Sequence, residues 1–425
     1  MTLKFRILAG SALAGLLVTG HASAETLEDA VSSAILSNPQ LESQRVESDI
    51  ARETLEQARS GGRTTVTIGG SAGYQYTDTN SPFSVSNGNS GAFSSQVQAT
   101  KPIYTGGRIS AGIRQAKAGI SAADAQYDAA QQDLILQVIT AYMDVRRDRE
   151  TVSIRENNVE VSAEQLRAAE DRFEVGVVTR TDVSLARANF EGTRASLAGA
   201  ESALETSLAN YSFLTGLTPG DLAPPPPVPP LPQSLEEATR LGLDANPDMI
   251  AARHSERAAM EAIEAAKAQG RPSVNLVGTA QTQYSTFESR NVQQSSVSGV
   301  VQGSIPIVTG GLVKSQTKAA RLRRDQARRQ IDALDRSIRA QVASAWYGYD
   351  ATLRAIEASK RQVDAAEIAY DGAKEELSVG VRTTLDVLNQ EQQLFEARLA
   401  LVQAERDAYV AAHQLLRATG QLTQP

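Results

Sequence analysis

The chain has 425 residues, no cysteine, and 42 Lys plus Arg against 49 Asp plus Glu, for a net charge of −7. That composition excludes a disulfide-stapled scaffold and the broad basic surface on which nucleic acid binds, and it leads us to expect no lipid anchor on an N-terminal cysteine. No later stretch approaches the roughly 20 continuous apolar residues of a membrane-spanning helix, so any passage through a bilayer has to be made by strands.

In chain order, residues 1–24 carry the parts of a secretory signal: Lys4 and Arg6, an apolar stretch from Ile7 to Val18, and the small-residue end Ala22-Ser23-Ala24. The mature chain is expected to begin at Glu25. Residues 25–217 read as a first unit, with a helix, a strand pair at 64–77 and 93–103, and a long helical hairpin over 110–217. A linker follows over 218–233, where Pro224-Pro225-Pro226-Pro227-Val228-Pro229-Pro230 can form neither helix nor central strand. Residues 234–425 read as a second copy, with a helix, strands at 273–284 and 297–305, and a hairpin over 314–420.

The two units are one pattern written twice. Thr26-Leu27-Glu28-Asp29-Ala30 with Asn38-Pro39 returns 208 positions later as Ser234-Leu235-Glu236-Glu237-Ala238 with Asn246-Pro247. Pro102-Ile103-Tyr104-Thr105-Gly106-Gly107 returns at a shift of 204 as Pro306-Ile307-Val308-Thr309-Gly310-Gly311, and Val175-Gly176-Val177 returns as Val379-Gly380-Val381. The change of shift places four extra residues in the first copy's strand region, where loops tolerate length changes.

The strands announce themselves by alternation. Val66, Ile68, Ala72, Tyr74 and Tyr76 share one face of 64–77, and Thr65, Thr67, Ser71, Gln75 and Thr77 share the other. The Ser- and Asn-rich stretches 80–91 and 287–294 read as loops. Tyr74, Tyr76, Phe83, Phe93, Tyr104, Tyr284 and Phe287 cluster in or beside the strands, as the aromatic girdles of membrane barrels do. Four strands are too few for a barrel, since the smallest need about eight, so several chains have to pool them.

The helical tracts carry heptads: Val138, Val145, Val152, Val159, Leu166 and Phe173, then Val342, Tyr349, Ile356, Val363, Tyr370 and Leu377 at the same positions of the second copy. The pattern restarts after each Val-Gly-Val, which makes that tripeptide the tip of a hairpin. A second row, Ile154, Val161, Ala168 and Val175, lies on nearly the opposite face at about 100° per residue, so the helix has neighbours on two sides, as in a wall. Nothing breaks the helix from Ser110 to Val175, roughly 100 Å of rod.

This combination resembles the TolC family of outer-membrane exit ducts over essentially the whole mature chain. The resemblance is carried by Pro-Ile-Tyr-Thr-Gly-Gly-Arg at 102–108, the Asn-Pro near each repeat start, and Val-Gly-Val-Arg-Thr-Thr-Leu-Asp-Val-Leu at 379–388. It implies coiled-coil hairpins plus β: a homotrimer whose chains give four strands each to a 12-stranded transmembrane barrel, continued by a periplasmic α-helical barrel. It implies a passive duct for protein secretion or multidrug efflux, with an inner-membrane transporter supplying energy through a periplasmic adaptor and outer-membrane lipid around the barrel. The missing anchor cysteine leans toward the secretion branch. Residue by residue, the resemblance puts adaptor docking on Val175, Gly176, Val177, Val379, Gly380 and Val381. It puts the closing links on Thr181, Asp182 and Arg382, and an acidic constriction on Asp386. The chain departs from the family at Asn389, where a second constriction Asp stands, and at Leu377, where a gate Tyr stands, so fewer locks are expected.

Plainer roles are compatible with these. Thr181 and Asp182 suit a helix N-terminus, and the glycines suit left-handed turns. The run Arg321, Arg323, Arg324, Arg328, Arg329 reads as a solvated helix face, or one that meets anionic headgroups. Trp346, aligned with Tyr142, reads as packing. His254 and His413 have no partner at metal-ligand spacing, and neither a Walker loop nor a Gly-x-Ser-x-Gly is present, so neither enzyme, cofactor nor metal is expected. The competing reading is a periplasmic coiled-coil adaptor or scaffold without a barrel. The four amphipathic strands weigh against it.

Overall fold

The computed structural model describes residues 24–81, 84–287 and 290–423. The expected signal peptide, apart from Ala24, lies outside the described residues, as does Phe83. Each copy begins with two short helices, α1 (Leu27–Ser37) and α2 (Pro39–Ser60) in the first, α5 (Leu235–Ala245) and α6 (Pro247–Ala268) in the second. Two strands follow, β1 (Thr65–Ser81) and β2 (Ser84–Tyr104), or β3 (Ser273–Phe287) and β4 (Arg290–Ser304). Long hairpins complete the copies, α3 (Arg108–Glu174) with α4 (Arg180–Thr215), and α7 (Leu312–Ser378) with α8 (Thr384–Ala418).

The strands run further than the alternation alone suggests. The stretch 80–91, expected as a loop, is largely ladder: Asp78 pairs with Asn87 and Asn80 with Val85, and the pairing continues to Ser81 and Ser84. Residues 287–294 likewise belong mostly to the sheet, with Phe287 opposite Arg290. Backbone hydrogen bonds hold a ladder whether or not its side chains alternate, so a polar run can continue a strand after the oily face has ended. At the other end β4 stops at Ser304, short of the expected Ile305, just before Pro306. β2 instead passes Pro102 through a bulge, where a missing N–H is tolerated.

The sheet order is β1-β2-β3-β4, antiparallel throughout, and the β2–β3 pairing joins the two copies. The register aligns two kinds of row. Ile68, Val97, Ala280 and Val297 stand side by side on one face, and so do Ala72, Phe93 and Tyr284, with the Phe93 and Tyr284 rings 6.4 Å apart. The other face carries Thr67, Gln98, Thr279 and Ser298, then Gln96, Gln281 and Ser296, then Ser71, Ser94, Gln283 and Gln294. One face is oily and the other is wet and uncharged along these rows. Among the described residues β1 and β4 are edges with no strand beyond them.

Below the sheet the helices form a wall. Its lower half runs α4, α3, α8, α7 and its upper half α2, α3, α6, α7, so α3 and α7 traverse both. The repeated Asn-Pro makes this stacking possible. Asn38 accepts from the N–H groups of Gln40 and Leu41 to start α2, Pro39 fills the first helical position, and the same side chain donates to Leu214 O at the end of α4. Asn246 repeats both roles, accepting from Asp248 N and donating to Ala418 O of α8. Upper helices thus sit end on end above lower ones with their terminal groups satisfied.

Around this junction lies the main core, with Leu27, Val31, Leu134, Val138, Ile139, Tyr142, Tyr211 and Leu214. It anchors the segment around Glu25. Glu25 N donates to Asp221 O, the Tyr142 hydroxyl reaches the carbonyls of Glu25 and Ala223, and the Tyr211 hydroxyl donates to the Glu25 carboxylate at 2.6 Å. The second copy has a smaller cluster of Ala238, Met249, Ile338, Val342 and Leu415, against which Trp346 packs as expected from its alignment with Tyr142.

Candidate functional site

The chemistry-bearing residues that the sequence singles out gather at the lower tips of the two hairpins. α3 and α7 end in the same device. Val177 N donates to Arg172 O and Gly176 N to Phe173 O, with Gly176 at φ +76°. In the second copy Val381 N donates to Glu376 O and Gly380 N to Leu377 O, with Gly380 at φ +78°. This is the paired closure that a left-handed glycine allows at a helix end. It leaves Val175, Val177, Val379 and Val381 between 72% and 75% exposed, four apolar side chains held in water at the end of a rigid rod. Isolated exposed valines are ordinary, but here a matched pair makes each of the two tips apolar.

The returning helices start with capping boxes. Thr179, not Thr181, is the N-cap of α4: its hydroxyl accepts from Asp182 N, and Asp182 accepts from Thr179 N at 2.8 Å. Thr383 and Asp386 repeat the box at α8. The pattern Thr-x-x-Asp is written at both places in the sequence, so a search for capping boxes finds both caps. Hydrogen bonds from the Thr179 backbone and hydroxyl hold the Asp182 carboxyl below the usual range, and bonds from Thr383 do the same for Asp386. Both carboxylates are charged at neutral pH and locally fixed, and neither is buried.

Arg382 pairs within its own hairpin, with Glu376. Within the chain it is not joined to Thr181 or Asp182. Thr181 is exposed one residue before Asp182, and Asn389 is exposed one helical turn after Asp386, on the same side of α8. Leu377 is half-buried beside a groove of about 310 Å³ that Val161, Ala168, Tyr370, Lys374 and Val387 also line.

A buried polar cluster above the tips was not legible in the sequence. Glu391 of α8 is 2% exposed and accepts from Gln165 Nε2 of α3 at 2.6 Å. Burial pushes its carboxyl up to about 7. Nearby, Ser162 and Thr193 share a hydrogen bond of 2.8 Å between α3 and α4. Higher still, Asp144 joins Arg147 of α3 to Arg406 of α8, and Asp148 joins Arg147 and Ser207. The hairpins are thus cross-linked by charge and hydrogen bonding as well as by apolar rows.

Among the described residues no cluster of His, Asp or Glu could hold a metal ion, and no helix is long and apolar enough to cross a membrane. His413 is buried, with Nδ1 2.8 Å from Tyr409 O, and serves packing. The basic run on α7 is mostly exposed, with Arg324 paired to Asp325 and Arg329 to Asp332.

Comparison with known proteins agrees with this geometry. The family model described as outer membrane efflux protein matches residues 30–217 and 240–421, the two copies of the repeat. The outer membrane efflux protein BepC of Brucella suis biovar 1 is 32% identical over 99% of this chain and 91% of its own length. The outer membrane protein TolC of Escherichia coli K12 is 31% identical over 97% of this chain and 86% of its own. The CmeC outer membrane channel of Campylobacter jejuni has the same fold, with a TM-score of 0.80 over 93% of this chain and 85% of its own at 19% identity. A scaffold without a barrel is set aside by these matches and by the four-stranded sheet. The chain belongs to the outer membrane efflux protein family, in which it is an outer-membrane channel of the TolC type with a large periplasmic helical portion.

Proposed function

We propose that three copies of this chain close into one duct, that its hairpin tips receive a periplasmic adaptor, and that Asp386 forms a charged ring at its narrowest point. The observation that carries this reading is the sheet with two open edges. An unpaired strand edge is not tolerated in hydrocarbon, where each unsatisfied backbone group costs several kcal/mol, so β1 has to pair with β4 of a neighbour. Three chains would give 12 strands, an even number within the range of membrane barrels, with the oily rows toward lipid and the Thr, Ser and Gln rows toward water.

The exposed valines at 175, 177, 379 and 381, with the glycines at 176 and 380, would meet the apolar surface of an adaptor that links the duct to an inner-membrane transporter. That transporter would supply the energy. Thr181, Asp182, Arg382 and Asn389 lie within a few residues of the tips, where closure would act. A three-fold axis would gather three Asp386 carboxylates, already held in the charged form, and such a ring favours cations.

Single-channel conductance in planar bilayers tests the reading. Wild-type protein is expected to form cation-selective pores whose selectivity falls in Asp386→Ala. Correctly inserted trimers whose selectivity is unchanged by the substitution would remove Asp386 from the constriction. Well-folded protein that forms no pore would overturn the duct.

A further inference from the structure

The Gln165–Glu391 contact is incomplete in an informative way. Gln165 Nε2 donates to one carboxylate oxygen, while Glu391 Oε1 and Gln165 Oε1 are both buried and have no hydrogen-bond partner. Two buried acceptors cannot satisfy each other, and each such group costs free energy. One proton resolves both. A carboxylic acid and a primary amide form a closed ring of two hydrogen bonds, N–H to one carboxyl oxygen and O–H back to the amide oxygen.

We propose that Glu391 and Gln165 form a proton-operated latch across the seam between the two hairpins, closed when Glu391 carries its proton and loosened when the proton is lost. The latch sits where α8 packs on α3, five residues beyond Asp386. Its exit route is the polar cavity of about 250 Å³ beside Glu391. The charged groups lining that cavity are Arg155 of α3 and Glu396 and Glu391 of α8, while α4 contributes only neutral Asn189, Thr193 and Ser196. On the Gln165 side the facing titratable groups are Tyr370 and Lys374 of α7 and Glu164 and Arg172 of α3; the Tyr370 phenol stands beside Gln165, and burial keeps it protonated across the physiological range.

The direction of the pH response follows from burial. Glu391 in the folded chain holds its proton to about 7, well above an exposed carboxylate. The latch therefore contributes fully below the ordinary carboxylate range, and its contribution is lost as the pH rises through about 7. The repeat gives an internal contrast. Gln165 corresponds to Ala369 and Glu391 to Arg187, which pairs with Glu170, so only one of the two equivalent places in each chain can hold a latch.

Full-length trimers in detergent provide the test. The infrared band of a protonated carboxylic acid is expected to disappear with a midpoint near 7 and to be missing in Glu391→Gln. Amide exchange in the lower halves of α3 and α8, measured against the upper half of α3, should rise several-fold through the same midpoint in wild type. It should stay slow in Glu391→Gln, whose amide pairs with Gln165 at any pH, and fast at any pH in Gln165→Ala. No titrating band, or the same pH profile in Glu391→Gln, would overturn the latch. Its bearing on the pore rests on the gate reading above and is read separately, as channel open probability. Opening that rises with pH in wild type and is flat in Glu391→Gln supports the coupling. A titrating band with pH-independent opening would overturn the coupling while leaving the duct itself untouched.

Discussion

α3 and α7 have the same length, 67 residues, and the same place in the repeat, yet they are buried very differently. α7 buries Ala320, Ile338, Val342 and Ala373. Each stands 204 positions beyond a buried residue of α3, namely Ala116, Leu134, Val138 and Ala169. These shared positions face the helices of their own copy. α3 buries many more. Tyr142 and Ser162 are covered within their own copy, beside Tyr211 and Thr193, while Met143 lies toward α8 of the second copy, which with α6 covers the other side of α3. The corresponding side of α7 is open in the single chain. Leu322, the counterpart of Ala118, is 59% exposed, and Tyr347, the counterpart of Met143, is 62% exposed against 8%. The difference teaches that one repeat makes two kinds of seam: one within the chain, finished, and one at its edge, shaped for a neighbouring copy.

The strongest way to break that comparison is to place the same charge at equivalent positions. Met143→Asp buries a carboxylate in the main core and is expected to cost at least about 3 kcal/mol, enough to prevent folding or lower Tm sharply by circular dichroism. Tyr347→Asp is expected to leave the secondary structure intact and shift trimers toward monomers on native gels. Equal unfolding by both would mean that the two faces are not the different seams described.

Next in size are the glycines that end α4 and α8, both at φ +72°. A Cβ at Gly420 would lie 2.5 Å from Ala245 O, whereas one at Gly216 meets nothing closer than Ser37 Oγ at 3.3 Å. Gly216→Ala should cost about 1–2 kcal/mol, the ordinary penalty of a left-handed alanine. Gly420→Ala should cost clearly more, because a backbone has to move. Thermal denaturation of the two variants ranks them, and equal losses would put the α8 junction in doubt.

The smallest effects should show no difference between copies. Thr179→Ala and Thr383→Ala each remove an N-cap, a loss of about 1 kcal/mol to the first turn of α4 or α8, seen as faster amide exchange there. The boxes also have a pH response opposite to that of Glu391. Asp182 and Asp386 have lowered folded-state values, so their contribution is present above the ordinary carboxylate range and lost as the pH falls through those lowered values. Fraying of both tips in acid, alike in the two copies, is the expected result in amide exchange.

Much of the candidate site was legible. The left-handed turns at Gly176 and Gly380 follow from a glycine after a heptad run, and the Thr-x-x-Asp boxes are local patterns within four residues. The Gln165–Glu391 pair was not legible, because its members are 226 residues apart and each looks like an ordinary polar residue on an amphipathic helix. Arg382 shows the same limit, since its partner Glu376 lies across the turn and no spacing rule selects it over Asp182.

By itself, the sequence determined what depends on near neighbours along the chain: the duplication, the helical rods, the tips, the alternating strands, and a polyproline break between the copies. Tertiary structure alone decided how far the ladders continue through polar residues, that β2 pairs with β3, and that Asn38 and Asn246 each close two helix ends. It also decided that one of two equivalent helices stands inside the wall and the other at its edge. The physical reason is that periodicity specifies which face of a helix or strand is apolar, while the element that covers that face is set by closure of the whole chain and, at α7, β1 and β4, by surfaces that the chain does not bury alone.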